Sequence, residues 1–77
     1  MTYNLELTDT FAGEANYSWV KRAQLDAPSN ASRLTLVRRA KAWAGLAGMP
    51  CEVSECGEMI MIKPRWQCVV LFVTWER

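Results

Sequence analysis

Only one stretch of this chain switches its apolar spacing from two residues to 3.6, and alternating segments flank it on both sides. A lone amphipathic helix must bury its stripe on a sheet, and one helix covers only one sheet face. The helical stretch runs from about residue 32 to 47. Leu36, Val37, Ala40, Trp43, Ala44 and Ala47 fall within an arc of about 120° when residues are placed 100° apart, while Arg38, Arg39 and Lys41 lie opposite. Trp43 sits at the middle of that arc and is expected to be a central core residue. Ser29, Asn30 or Ser32 supplies the N-cap. Gly48 stands where a left-handed C-cap is expected, Pro50 prevents continuation, and Gly45 weakens the last turn.

Residues 3–9 alternate, with Tyr3, Leu5 and Leu7 on one side and Asn4, Glu6 and Thr8 on the other. Residues 10–16 break the period around Gly13. Residues 17–25 alternate again, Tyr17, Trp19, Ala23 and Leu25 against Ser18, Val20, Arg22 and Gln24, with Lys21 the exception on the apolar side. These two segments read as an antiparallel hairpin. After the helix come strands at 51–55, 59–63 and 67–75, separated by a turn at 55–58 and by Pro64-Arg65-Trp66. The order β-β-α-β-β-β over residues 1–77 predicts a single α+β domain, a two-layer sandwich of an antiparallel sheet with one helix on one face. The last two strands are apolar on both faces: Met59 and Met61 alternate with Ile60 and Ile62, and Val69, Leu71 and Val73 with Val70 and Phe72. Two readings fit. Bulky neighbours such as Trp66 and Trp75 shield the second face, or a loop or another molecule covers it.

The residue inventory excludes most chemistry. With no histidine, the commonest general base and metal ligand are missing. Cys51, Cys56 and Cys68 are an odd set with no second close pair, and they read as reduced, mostly buried thiols rather than a disulfide framework or a zinc site. The four glycines are isolated and form no phosphate-cradling loop. No enzymatic activity, metal or cofactor is expected. The N-terminus has no basic segment followed by an apolar one. The longest apolar run is the six residues Cys68 to Val73, against about twenty for a membrane span. A cytoplasmic protein is expected.

The net charge of +1 hides segments of opposite sign. Arg33, Arg38, Arg39 and Lys41 make the helix region basic, whereas residues 42–62 carry only Glu52, Glu55 and Glu58 as charges. The basic helix face is either a solvated surface or a phosphate-contacting one. Four cations without interleaved aromatics argue against tight binding of nucleic acid by the protein alone. Glu55 and Glu58 flank a glycine turn and are expected to project from a hairpin tip; Glu14 extends the patch if the loops share an edge.

Two segments, Gly13-Glu14-Ala15-Asn16-Tyr17-Ser18-Trp19-Val20-Lys21-Arg22 and Arg38-Arg39-Ala40-Lys41-Ala42-Trp43-Ala44-Gly45-Leu46-Ala47-Gly48-Met49, resemble small proteins from phages and mobile elements of Pseudomonas-like bacteria. The group is similar to the small anti-CRISPR inhibitors of type I systems, type I-C in particular, and the resemblance covers most of the chain. It implies a stoichiometric inhibitor that binds a CRISPR surveillance complex, with the PAM-reading large subunit as the expected contact, and blocks target DNA. For such a partner, the carboxylates of Glu14, Glu52, Glu55 and Glu58 are the expected binding residues, acting as a DNA mimic by standing where phosphates lie. Reversing Glu52, Glu55 and Glu58 together is expected to leave the fold intact. The alternative function is a small nucleic-acid-binding regulator using Arg33, Arg38, Arg39 and Lys41. A third, an enzyme or redox protein built on the cysteines, lacks a base to activate a thiol.

Overall fold

The computed structural model describes residues 1–76; Arg77 lies outside them. The elements are β1 (Thr2–Phe11), β2 (Glu14–Asp26), α1 (Arg33–Ala44), β3 (Cys51–Cys56), β4 (Met59–Pro64) and β5 (Val69–Thr74). They build one five-stranded sheet in the order β2-β1-β5-β4-β3, with every neighbouring pair antiparallel. The α+β fold and the β-β-α-β-β-β order are those the sequence predicts.

Register decides which residues share a face. Leu5 stands opposite Val73 and Leu7 opposite Leu71; Ile60 and Ile62 face the same two β5 residues from the other side. These cross-strand rows form the helix-side face, on which Leu36 and Ala40 are completely buried. Tyr3 meets Trp75 edge-on at 5.6 Å between ring centres, and the Arg33 guanidinium lies 4.5 Å from the Trp75 ring centre. The N-terminal half of the helix is thus held to the last strand by packing and a cation–π contact.

Ser32 is the N-cap, its hydroxyl accepting from the Thr35 N–H at 3.1 Å. The C-terminus comes earlier than the sequence suggests. Gly45, not Gly48, takes the left-handed cap at φ 75°. Gly45 N–H donates to Ala42 O and Leu46 N–H to Lys41 O, a Schellman arrangement. Both glycines have positive φ. Gly45 closes the helix because the residue after it, Leu46, can then be buried under the last turn. Trp43 also departs from expectation: it retains 37% of its exposure. The two fully buried helix positions, Ala40 and Leu36, lie one and two turns earlier, and the large indole in the final turn is only partly covered.

The first hairpin is longer than its alternation implies. Its loop is only Ala12-Gly13, both at positive φ, the requirement of a type I′ turn. What reads as a seven-residue break is a bulge within the hairpin. The β1–β2 register jumps between Thr8 opposite Val20 and Thr10 opposite Ala15, and Tyr17 sits there at φ 56°. The Thr8 hydroxyl donates to Trp19 O at 2.9 Å and accepts from the Tyr17 N–H at 3.1 Å, replacing backbone pairs the bulge removes. Beyond the bulge the tip bends over the face opposite the helix, where Lys63 Nζ donates to Gly13 O at 3.1 Å. Thr8 and Val70 beneath it are fully buried. A loop therefore covers one end of the second sheet face, and the rest of that face stays open.

Candidate functional site

The face away from the helix is organised in cross-strand rows. Gln24, Asn4, Thr74 and Met59 stand side by side across β2, β1, β5 and β4; Arg22, Glu6, Phe72 and Met61 form the next row. A third row, Val20, Thr8 and Val70, lies at the end covered by the hairpin. The first row, together with Arg22, Glu6 and Phe72 of the second, floors a groove of about 750 Å³ that Tyr17 borders from the bulge. One side of the floor, Phe72 and Met59, is apolar; the other, Asn4, Gln24, Glu6 and Arg22, is polar. That combination, an apolar floor with a few convergent polar groups, characterises binding sites.

Tyr17 is the most constrained of these residues. Its backbone is left-handed, a conformation uncommon for a bulky side chain. Its ring is half exposed, and its hydroxyl donates to Glu6 Oε1 at 2.7 Å. That hydrogen bond, together with partial burial and the Glu6 charge, raises the phenol above its ordinary pKa, so it stays protonated. Glu6 in turn accepts from Arg22 Nε at 3.0 Å. The three side chains form one polar wall. Arg22 keeps 66% side-chain exposure, so the pair with Glu6 orients the groove more than it stabilises the fold.

Asp9 fixes the bulge that carries Tyr17. Its carboxylate accepts from the Ser18 hydroxyl and amide and from Asn16 Nδ2. Led by the Ser18 hydroxyl, then Asn16, these bonds lower Asp9 to about 2 from 3.8. A depressed carboxylate pKa stabilises the folded form above the unfolded value and loses that contribution as pH falls towards the folded one. The Asn16, Tyr17 and Ser18 amide resonances are therefore expected to hold their positions from pH 7 to pH 4 and to move with a midpoint near pH 2. A midpoint at the ordinary carboxylate value means that Asp9 does not hold the bulge.

The structure distributes the carboxylates of the predicted acidic patch over different surfaces. Glu52 stands opposite Lys63 on the open face, whereas Glu55 stands opposite Ile60 on the helix side and pairs with Arg33. Glu58 lies in the β3–β4 turn, where its carbonyl accepts from the Trp75 N–H. Glu14 sits at the β1–β2 tip, at the other end of the sheet from that turn and at the same end as Glu52. Reversing Glu55 would place a lysine against Arg33, so the triple reversal exchanges a half-exposed ion pair for a like-charge contact on the helix side. The basic residues are also divided. Arg33 holds Glu55 and Trp75, Arg39 Nη1 donates to Asp26 O at 3.1 Å, and Lys41 Nζ donates to Met49 O at 2.7 Å. Arg38 lines a shallow groove on the helix with Lys41.

None of the three cysteines is disulfide-bonded; Cys51 is half-buried with its thiol towards Met49 O, while Cys56 and Cys68 are exposed rather than buried. No helix among the described residues is long and apolar enough to cross a membrane. Sequence reading missed Tyr17, Glu6 and Arg22 as a group because Tyr17 was assigned to an apolar strand face. The signal available was the cluster Asp9, Asn16 and Ser18 around the break, polar residues suited to bonding local backbone. Comparison with family models, with curated proteins and with solved structures returns no match.

Proposed function

We propose that this domain acts by stoichiometric contact, as an anti-CRISPR inhibitor that binds a type I surveillance complex and keeps target DNA off it. The resemblance of segments 13–22 and 38–49 supports the choice of target. The observation that carries the mode of action is the open-face groove, an apolar floor beside the Tyr17–Glu6–Arg22 wall on the side of the sheet the helix leaves uncovered. Tyrosine and arginine are the residue types that anchor protein interfaces, and a side chain held in place by a bulge loses little freedom on binding. Phe11 and Trp66, both about three-quarters exposed, lie at the other end of the sheet, where Thr10 N–H meets Cys68 O beyond the row the hairpin covers. Glu14 and Glu52 belong to that end and act at the rim of the interface, where charge chiefly sets association rate. Glu55 and Glu58 are assigned to the β3–β4 hairpin and its contact with the helix.

This reading places the protein in the cytoplasm of an infected bacterium, with a protein subunit as partner, and it makes the domain neither an enzyme nor a nucleic-acid binder. Direct phosphate contact through the helix is disfavoured because Arg33 holds Glu55 and Arg39 holds Asp26 O, leaving only Arg38 and Lys41 side by side at one groove. The test is a titration of purified type I-C surveillance complex with this protein before target duplex is added. Loss of DNA loading at about one equivalent supports the proposal. Full loading at a large excess refutes it for that subtype.

A further inference from the structure

The helix carries a second stripe that the core uses only in part: Val37 packs against it, whereas Leu34 and Arg38 are exposed. Leu34, Val37, Arg38 and Lys41 follow the spacing i, i+3, i+4, i+7 and line one groove of about 220 Å³ together with Ala47 and Gly48. Leu34 is 66% exposed, on a helix whose core positions Leu36 and Ala40 have no exposure. The segment after the helix forms the far wall, tied back by Lys41 Nζ on Met49 O. No acidic residue occurs in α1, so both charges at the groove are positive.

We infer that this groove is a docking site for an acidic protein segment that presents an aliphatic side chain. The apolar floor of Leu34, Val37 and Ala47 takes the aliphatic group, and Arg38 and the outer part of Lys41 meet carboxylates on either side. Helix-in-groove recognition uses this arrangement of apolar anchors beside complementary charge. A nucleic-acid strand fits less well, since two cations neutralise little backbone charge and the sugar-phosphate chain has no aliphatic group for the floor. The inference is independent of the inhibitor reading, which uses the opposite side of the molecule.

The test titrates isotope-labelled full-length protein with three probes: an acetylated peptide of alternating glutamate and leucine pairs, the same peptide with serine for leucine, and a short oligothymidylate. The expected result is saturable shifts of the Leu34, Val37, Arg38, Ala47 and Gly48 amides with the leucine peptide. Affinity should fall at least tenfold with the serine peptide and at least tenfold in Leu34→Ser or Arg38→Glu protein. Both substitutions are at exposed positions, and an unchanged amide spectrum elsewhere verifies their fold. Equal binding of the serine peptide, or tighter binding of the oligothymidylate at the same amides, overturns the inference in favour of a charge-only or phosphate site. Absence of shifts on this stripe also overturns it.

Discussion

Leu36→Ala is expected to cost about 2–5 kcal/mol of stability, and Trp43→Ala, on the same helix, only about 1–2 kcal/mol. Size alone suggests the reverse. Leu36 has no exposure and packs among β-strand residues on which the whole two-layer core depends, so truncation leaves a cavity that the sheet cannot fill by moving. Trp43 still meets solvent, and removing its ring opens no enclosed void. A domain of this size has on the order of 5 kcal/mol in total. Leu36→Ala should therefore be partly unfolded at 37 °C, while Trp43→Ala melts as a folded protein. Urea unfolding followed by circular dichroism measures both. Equal losses, or a larger loss for Trp43, would show that the helix is rotated from the register described.

The second large effect concerns inhibition. Tyr17→Gly combined with Arg22→Ser should reduce potency about a hundredfold, the scale of losing one or two interface anchors. Glycine suits the left-handed backbone at position 17, and Arg22 is largely exposed, so the fold should survive. Glu14→Lys with Glu52→Lys should act differently, slowing association while leaving dissociation nearly unchanged. Arg38→Glu with Lys41→Glu should leave inhibition intact. If the helix pair abolishes inhibition while the Tyr17 and Arg22 pair does not, the working surface is the helix and not the sheet.

How far the sequence foretells this molecule depends on which physical rule each feature obeys. Alternation and helical spacing are local, so the six elements and the inward side of β1, Leu5 and Leu7, follow from them, whereas β4 and β5 are apolar on both faces and alternation does not say which of these the helix takes. Strand order is not local. The pairing of β1 with β5 joins residues nearly seventy positions apart, Leu5 with Val73, and alternation tells a residue its face but not its neighbour. The bulge escapes for a different reason. Side chains of Thr8 and Asp9 satisfy its backbone, so the break at 10–16 looks like a loop when periodicity is the only guide. The division of the acidic patch, by contrast, was available. Glu52 and Glu55 are three apart, and a strand sends residues an odd number apart to opposite faces. Density along the chain is not density on a surface. The helix end turned on Leu46, since two left-handed glycines were on offer and only one placed a leucine in the core.

The central claim is that the uncovered sheet face is the interface. Amide hydrogen exchange of this protein, alone and in complex with the purified type I-C surveillance complex, tests it most directly. Protection should appear at Asn4, Tyr17, Arg22, Gln24, Met59 and Phe72 and be absent from the exposed side of α1. Protection concentrated on α1, with the exchange of those six residues unchanged, would contradict it.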